Sequence, residues 1–208
     1  MAFSEEDFQI MDSIIKRYPR SRSAIMPLLH YVQSKAGYVT NEGIEVIAKV
    51  LQLEAAEVTA VSTFYTQYKP TPVGEYHVGV CTNTLCAVMG GDAIFDSLKD
   101  HLGIGNDEVT ADGKVSLEHI ECNAACDYAP VVMANWEFYD NQTVESAKEL
   151  VDSMRAGNPK PPTRGPNKLV TWKEASAVLA GINDGLAHQG VQAGEPTLLG
   201  LKLSKEGK

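Results

Sequence analysis

The chain has 208 residues, 44 % hydrophobic and 22 % charged, the balance of a globular protein, and its length allows one medium domain or two small ones. No apolar run approaches the ~20 residues of a membrane helix, so no direct membrane insertion is expected. A formal net charge of −9 argues against a nucleic-acid partner, which would favour a basic stripe.

The opening M-A-F-S-E-E-D is acidic. It has no positive segment before an apolar stretch and no Arg-rich leader, so a cytoplasmic, or already processed, chain is expected. Residues 1–73 read as a helical bundle. Ser4 can cap a first helix whose Phe8, Met11, Ile14, Ile15 and Tyr18 share one face, and Pro19 ends it. A second helix is expected from Ser23 to Lys35, with Pro27 tolerable in its first turn. Thr40 can cap a third, with Ile44, Ile47, Ala48 and Leu51 in register, and a fourth covers Glu54 to Tyr65. None of the four shows a catalytic constellation.

K-P-T-P-V-G, from Lys69 to Gly74, breaks the helical pattern. Residues 74–158 then read in the order β-α-β-β-β-α, a small sheet with helices packed on it. The strands are Tyr76 to Val80, Val115 to Ile120, and a hairpin of Val131–Ala134 and Trp136–Tyr139 around Asn135. The helices follow Gly90-Gly91 and Thr143. Residues 159–208 form an extension. N-P-K-P-P-T-R-G-P-N reads as a linker, T-W-K-E as the capping-box start of a short helix, and the glycine-rich remainder as extended chain. A tail of this composition cannot build a core. It is expected to lie on a partner protein through Trp172, Val178 and Leu179, with Leu198, Leu199 and Leu201 as a second contact. The alternative is a helix folded back on the chain's own sheet domain.

The four cysteines are the chemistry-bearing residues. Cys81 and Cys86 form C-x4-C, and Cys122 and Cys126 form C-x3-C. Each pair follows a predicted strand. If those strands are parallel, all four thiols lie in loops at one end of a sheet, where α/β sheets bind ligands. Four thiolates are the number that holds one [2Fe–2S] cluster, and backbone N–H groups in the short loops can donate to the sulfurs. Four thiolates also suit structural zinc, although zinc knuckles favour C-x2-C. Disulfides are disfavoured in the cytosol. Neither pair has thioredoxin's C-x-x-C spacing. His77 and His119 lie within strands and are not needed as ligands.

The words around these cysteines are C-T-N-T-L-C-A-V-M-G-G (Cys81 to Gly91), G-K-V-S-L-E-H-I-E-C-N-A-A-C-D-Y-A-P (Gly113 to Pro130) and T-F-Y-T-Q-Y (Thr63 to Tyr68). Together they resemble the 24 kDa subunit family of NADH:quinone oxidoreductase, over roughly residues 5 to 157. The resemblance implies an α/β (α+β) fold, with an N-terminal helical bundle followed by a thioredoxin-like [2Fe–2S] ferredoxin domain. It implies a cluster held by Cys81, Cys86, Cys122 and Cys126. It also implies a partner flavin subunit carrying FMN and oxidising NADH, further peripheral-arm subunits, and a place on the cytoplasmic side of the membrane within the complex.

One departure touches the second cysteine loop. The family usually reads E-C-L-G-A-C, whereas this chain has Asn123 and Ala124. If the backbone there needs φ > 0, alanine is strained by about 1 kcal/mol or more. No G-x-G-x-x-G or P-loop pattern is present, so the chain alone is expected to bind neither NAD nor FMN and to be inactive without its partner. Two other readings stay open at this point: the equivalent subunit of a soluble NAD-linked hydrogenase or formate dehydrogenase, and a zinc-stabilised adaptor without redox function.

Overall fold

The computed structural model describes residues 3–207. The chain forms two units, one of residues up to Val73 with Thr171–Asp184, the other of Gly74–Val170 with the residues from Gly185 on.

The first unit is helical. α1 (Glu5–Ile15) begins at a capping box in which the Ser4 hydroxyl accepts from the Asp7 N–H and the Asp7 carboxylate accepts from the Ser4 N–H. The same buried carboxylate accepts from Tyr31 Oη at 2.6 Å. Burial alone would raise its pKa, but the hydrogen bonds from Tyr31, Ser4 and Lys35 hold it well below the usual carboxylate range. A 3₁₀ turn, Ser21–Ala24, leads into α2 (Ile25–Ala36), and Gly37 at φ 88° stops that helix. α3 (Asn41–Leu51) is capped by Thr40, and α4 (Ala55–Phe64) follows. Met11, Ile14, Leu28, Leu29, Val32, Ile47 and Val58 are fully buried in the common core.

This unit is completed from the far end of the chain. Thr171 and Glu174 form the expected capping box, but the helix they start needs no external surface. Trp172 is 1 % exposed, and its Nε1–H donates to the Gly37 carbonyl at 2.8 Å. The helix, Trp172–Leu179, packs against α2, and Lys173 Nζ donates to the Lys35 carbonyl. The expectation that Trp172 anchors a partner protein is therefore corrected: its apolar area is buried on the chain's own helices. The alternative of a helix folded back on the sheet domain is corrected too, since the contact is with the helical unit. Leu179 stays exposed.

The second unit holds a five-stranded sheet of order β2-β3-β1-β4-β5, with β1 Tyr76–Cys81, β2 Glu108–Val109, β3 Val115–Ile120, β4 Val132–Ala134 and β5 Glu137–Tyr139. β1 and β3 are parallel, with Tyr76 beside Val115 and Cys81 beside Ile120. β4 pairs with β1, and β5 with β4, both antiparallel. α5 (Thr84–Val88) and α6 (Gly91–Leu102) connect the parallel strands, and α7 (Val144–Arg155) follows the hairpin. Ile94 and Leu98 of α6 and Ala147, Val151 and Met154 of α7 share a core with Val78, Val80, Val115 and Leu117. α5 and β2 carry no periodic signal in the sequence, because each is too short to show one.

Asn135 at φ 49° and Trp136 at φ 74° make the two-residue hairpin turn. Asn135 does more than turn the chain. Its buried side chain accepts from the His77 N–H at 2.7 Å and donates to the carbonyls of Glu75 at 3.2 Å and Val170 at 2.8 Å.

The end of the chain departs from expectation. With Trp172–Leu179 as α8, the last element is α9 (Glu195–Lys205), a helix in place of an extended tail. Pro196 lies in its first turn, where its missing N–H costs nothing. Leu198, Leu199, Leu201 and Leu203 are all exposed on it. Among the described residues no helix is long and apolar enough to cross a membrane.

Candidate functional site

The parallel pairing of β1 and β3 is what brings the cysteine loops together. Cys81 is the last residue of β1 and lies opposite Ile120, the last residue of β3. Its Sγ is 4.0 Å from the carbonyl oxygen of Glu121, the neighbour of Cys122. Cys86 lies in α5, the short helix folded within the first loop. The chain beyond it is held close to the sheet by glycine at position 91. A Cβ there would come within 2.5 Å of the Cys81 carbonyl oxygen and 2.9 Å of the Cys86 carbonyl oxygen, so only glycine lets α6 start here.

All four cysteines are free of disulfides, with Cys81 and Cys86 buried and Cys122 and Cys126 exposed. Burial pushes the Cys86 thiol up to about 11, and the neighbouring Cys81 and Cys126 thiols add to the rise, against a stabilising backbone N–H from Val131. Cys86 thus interacts with one thiol of its own pair and one of the other. Cys122 lies out on the exposed limb of the second loop. Among the described residues no three His, Cys, Asp or Glu side chains are grouped so as to hold a metal ion. His77 is engaged within the sheet, with Nδ1 2.9 Å from Ser116 Oγ and Nε2 2.7 Å from Glu118 Oε2.

The residues present fit an iron–sulfur centre. A [2Fe–2S] cluster distributes four thiolates over two irons, so it suits two sulfur pairs on separate loops. The loop polar groups fit as well. The Ala124 N–H donates to Cys122 Sγ at 3.3 Å. The buried Nδ2 of Asn123 has no hydrogen-bond partner among the described residues, and a sulfur-rich centre supplies acceptors for such groups.

Ala124 adopts φ 52°. An alanine in this left-handed region is strained by about 1 kcal/mol. Ala124→Gly relieves that strain but loosens the unfolded chain by a similar amount. The variant is therefore expected to keep its cluster and to melt within a few degrees of the wild type. Its midpoint potential, read by electron paramagnetic resonance (EPR), is expected to move with the amide that donates to Cys122. A variant that lost its cluster would contradict this account of the loop.

A mixed sheet with helices packed on it, and paired cysteines following its two parallel strands, is the architecture of a thioredoxin-like ferredoxin. Comparison with known proteins agrees. The family model described as thioredoxin-like [2Fe-2S] ferredoxin matches residues 11–155. The chain is 60 % identical over 194 residues to the E subunit of NADH-quinone oxidoreductase from Mycobacterium tuberculosis, covering 93 % of this chain and 77 % of that one. It is 37 % identical over 160 residues to NADH-quinone oxidoreductase subunit 2 of Thermus thermophilus, covering 76 % and 88 %. An NAD+-reducing [NiFe]-hydrogenase crystal structure is similar with a TM-score of 0.56 at 19 % identity, covering 65 % of this chain and 23 % of that one, a likeness of fold alone. The chain belongs to the thioredoxin-like [2Fe–2S] ferredoxin family, among the relatives of these respiratory oxidoreductase subunits.

Proposed function

We propose that this chain is the electron-transfer subunit of an NADH:quinone oxidoreductase, with Cys81, Cys86, Cys122 and Cys126 as the ligands of one [2Fe–2S] cluster. One observation carries the reading. In a chain so close to the mycobacterial respiratory protein, the parallel register of β1 and β3 sets both cysteine pairs at the same end of the sheet.

The cluster supplies one-electron storage, exchanged with the flavin of a partner subunit. The protein's part is to hold and tune. Cys81 and Cys86, buried around α5, exclude water from one side of the centre. The exposed Cys122 and Cys126 loop leaves the other side accessible to a redox partner. The amide of Ala124, donating to Cys122 Sγ, stabilises the more negative, reduced state and so raises the potential.

The partner is a flavin subunit that binds FMN and oxidises NADH, joined by other peripheral-arm subunits. The complex carries the chain at the cytoplasmic membrane without inserting it. The chain itself performs no NADH chemistry, in keeping with its lack of a nucleotide-binding glycine pattern. The reconstituted chain is expected to show only background NADH oxidation, with activity appearing when the flavin subunit is added. Saturable NADH oxidation by the pure chain would overturn the assignment.

A further inference from the structure

The segment N-P-K-P-P-T-R-G-P-N reads as a linker, yet Arg164 ties it down. Its guanidinium donates to both oxygens of Asp127, with Nη1 3.1 Å from Oδ2 and Nη2 3.0 Å from Oδ1. It also donates to both oxygens of Asp140, with Nε 2.9 Å from Oδ2 and Nη2 2.6 Å from Oδ1. The cation lies 5.7 Å from the Tyr128 ring centroid and 5.3 Å from that of Phe138. Only 12 % of the arginine side chain is exposed. This planar fork serves two carboxylates at once, which a lysine ammonium cannot do.

The position of the two carboxylates gives the arginine its meaning. Asp127 follows Cys126 directly, within the 3₁₀ turn Cys126–Tyr128. Asp140 follows β5. Arg164 therefore joins the turn that begins at the fourth cysteine to the end of the sheet. The tail adds a second hold on the same turn. Thr197 Oγ1 donates to Asp127 Oδ2 at 2.9 Å, and the Glu195 N–H donates to Tyr128 Oη at 3.2 Å. Gly194 lies so close to the Tyr128 ring that a Cβ would fall 2.1 Å from it. Without the arginine, two mostly buried carboxylates would stand uncompensated, one of them next to Cys126.

We propose that Arg164 is a positioning residue for the iron–sulfur centre: it fixes the turn carrying Cys126 and offsets the carboxylate charge beside it, so the C-terminal extension governs how firmly the centre is held and at what potential. This rests on Cys126 being a ligand.

The test uses the full-length chain reconstituted with iron and sulfide, as wild type, Arg164→Met and Arg164→Lys. Iron release to a chelator and the midpoint potential by EPR titration are measured on each. Arg164→Met is expected to release iron about tenfold faster and to lie about 59 mV lower, a tenfold change in the reduced-to-oxidised ratio for one electron. Arg164→Lys keeps the charge and loses the fork, so its potential returns towards wild type while iron release stays fast. Wild-type release and potential in Arg164→Met overturn the proposal. If that variant does not fold, wild-type release in Arg164→Lys overturns it. A wild-type chain that takes up no cluster counts instead against the ligand assignment.

Discussion

Cys86→Ser is expected to strip the reconstituted chain of its iron and its visible absorption. The wild type should hold about two irons and two acid-labile sulfides, as one cluster requires. Cys86 is 3 % exposed, inside a five-residue helix followed closely by the tightly packed Gly91. A serine there offers a harder, less acidic oxygen at a shorter reach. The pinned backbone cannot advance to make up the distance. The four positions should not respond equally. Cys81 and Cys86 are buried, whereas Cys122 and Cys126 are exposed on a loop with room to adjust. Serine at Cys122 should therefore retain more iron than serine at Cys86. Full iron with an unchanged spectrum in Cys86→Ser would remove that residue from the ligand set.

Trp172→Ala is expected to destabilise the helical unit by about 3–5 kcal/mol, the usual cost of truncating a fully buried tryptophan. Two effects combine. The indole is buried where α8 packs on α2, and its N–H satisfies the Gly37 carbonyl at the end of α2. Urea unfolding followed by far-UV circular dichroism reads the loss, and the visible spectrum follows the cluster separately. The helical signal should melt earlier while the cluster absorption persists to the wild-type denaturant concentration. An unchanged melt together with weakened binding to the flavin subunit would restore the view of Trp172 as an external anchor.

Much of the frame was legible in the chain. Ser4, Thr40, Thr143 and Thr171 each announce a helix start through a local hydrogen bond, and local rules read local bonds well. The strands before Cys81 and Cys122 were visible by composition, and the helical connection between them allowed their parallel pairing. What was hidden depends on distant partners. Trp172 looks the same in sequence whether it meets Gly37 or another protein. Asn135 reads as a turn former, and nothing nearby reveals its bonds to His77, Glu75 and Val170. Arg164, between prolines, carries no local sign of the two aspartates 37 and 24 residues before it. In α9, Gly194 and Gly200 mask a short leucine pattern, so extended chain was the natural expectation.

The chain visits its helical unit twice, leaving at Val73 and returning only at Thr171. On the ribosome this reverses the obvious order of maturation. α1 to α4 emerge first, yet the tryptophan that closes their core is made about a hundred residues later. At the ~5–20 residues per second of synthesis, this is a delay of about 5–20 s. During that interval the sheet and both cysteine loops have already left the exit tunnel. The nascent helices must wait with the α2 surface uncovered, and a ribosome stalled shortly before Thr171 would present a ferredoxin sheet tethered to an unfinished bundle.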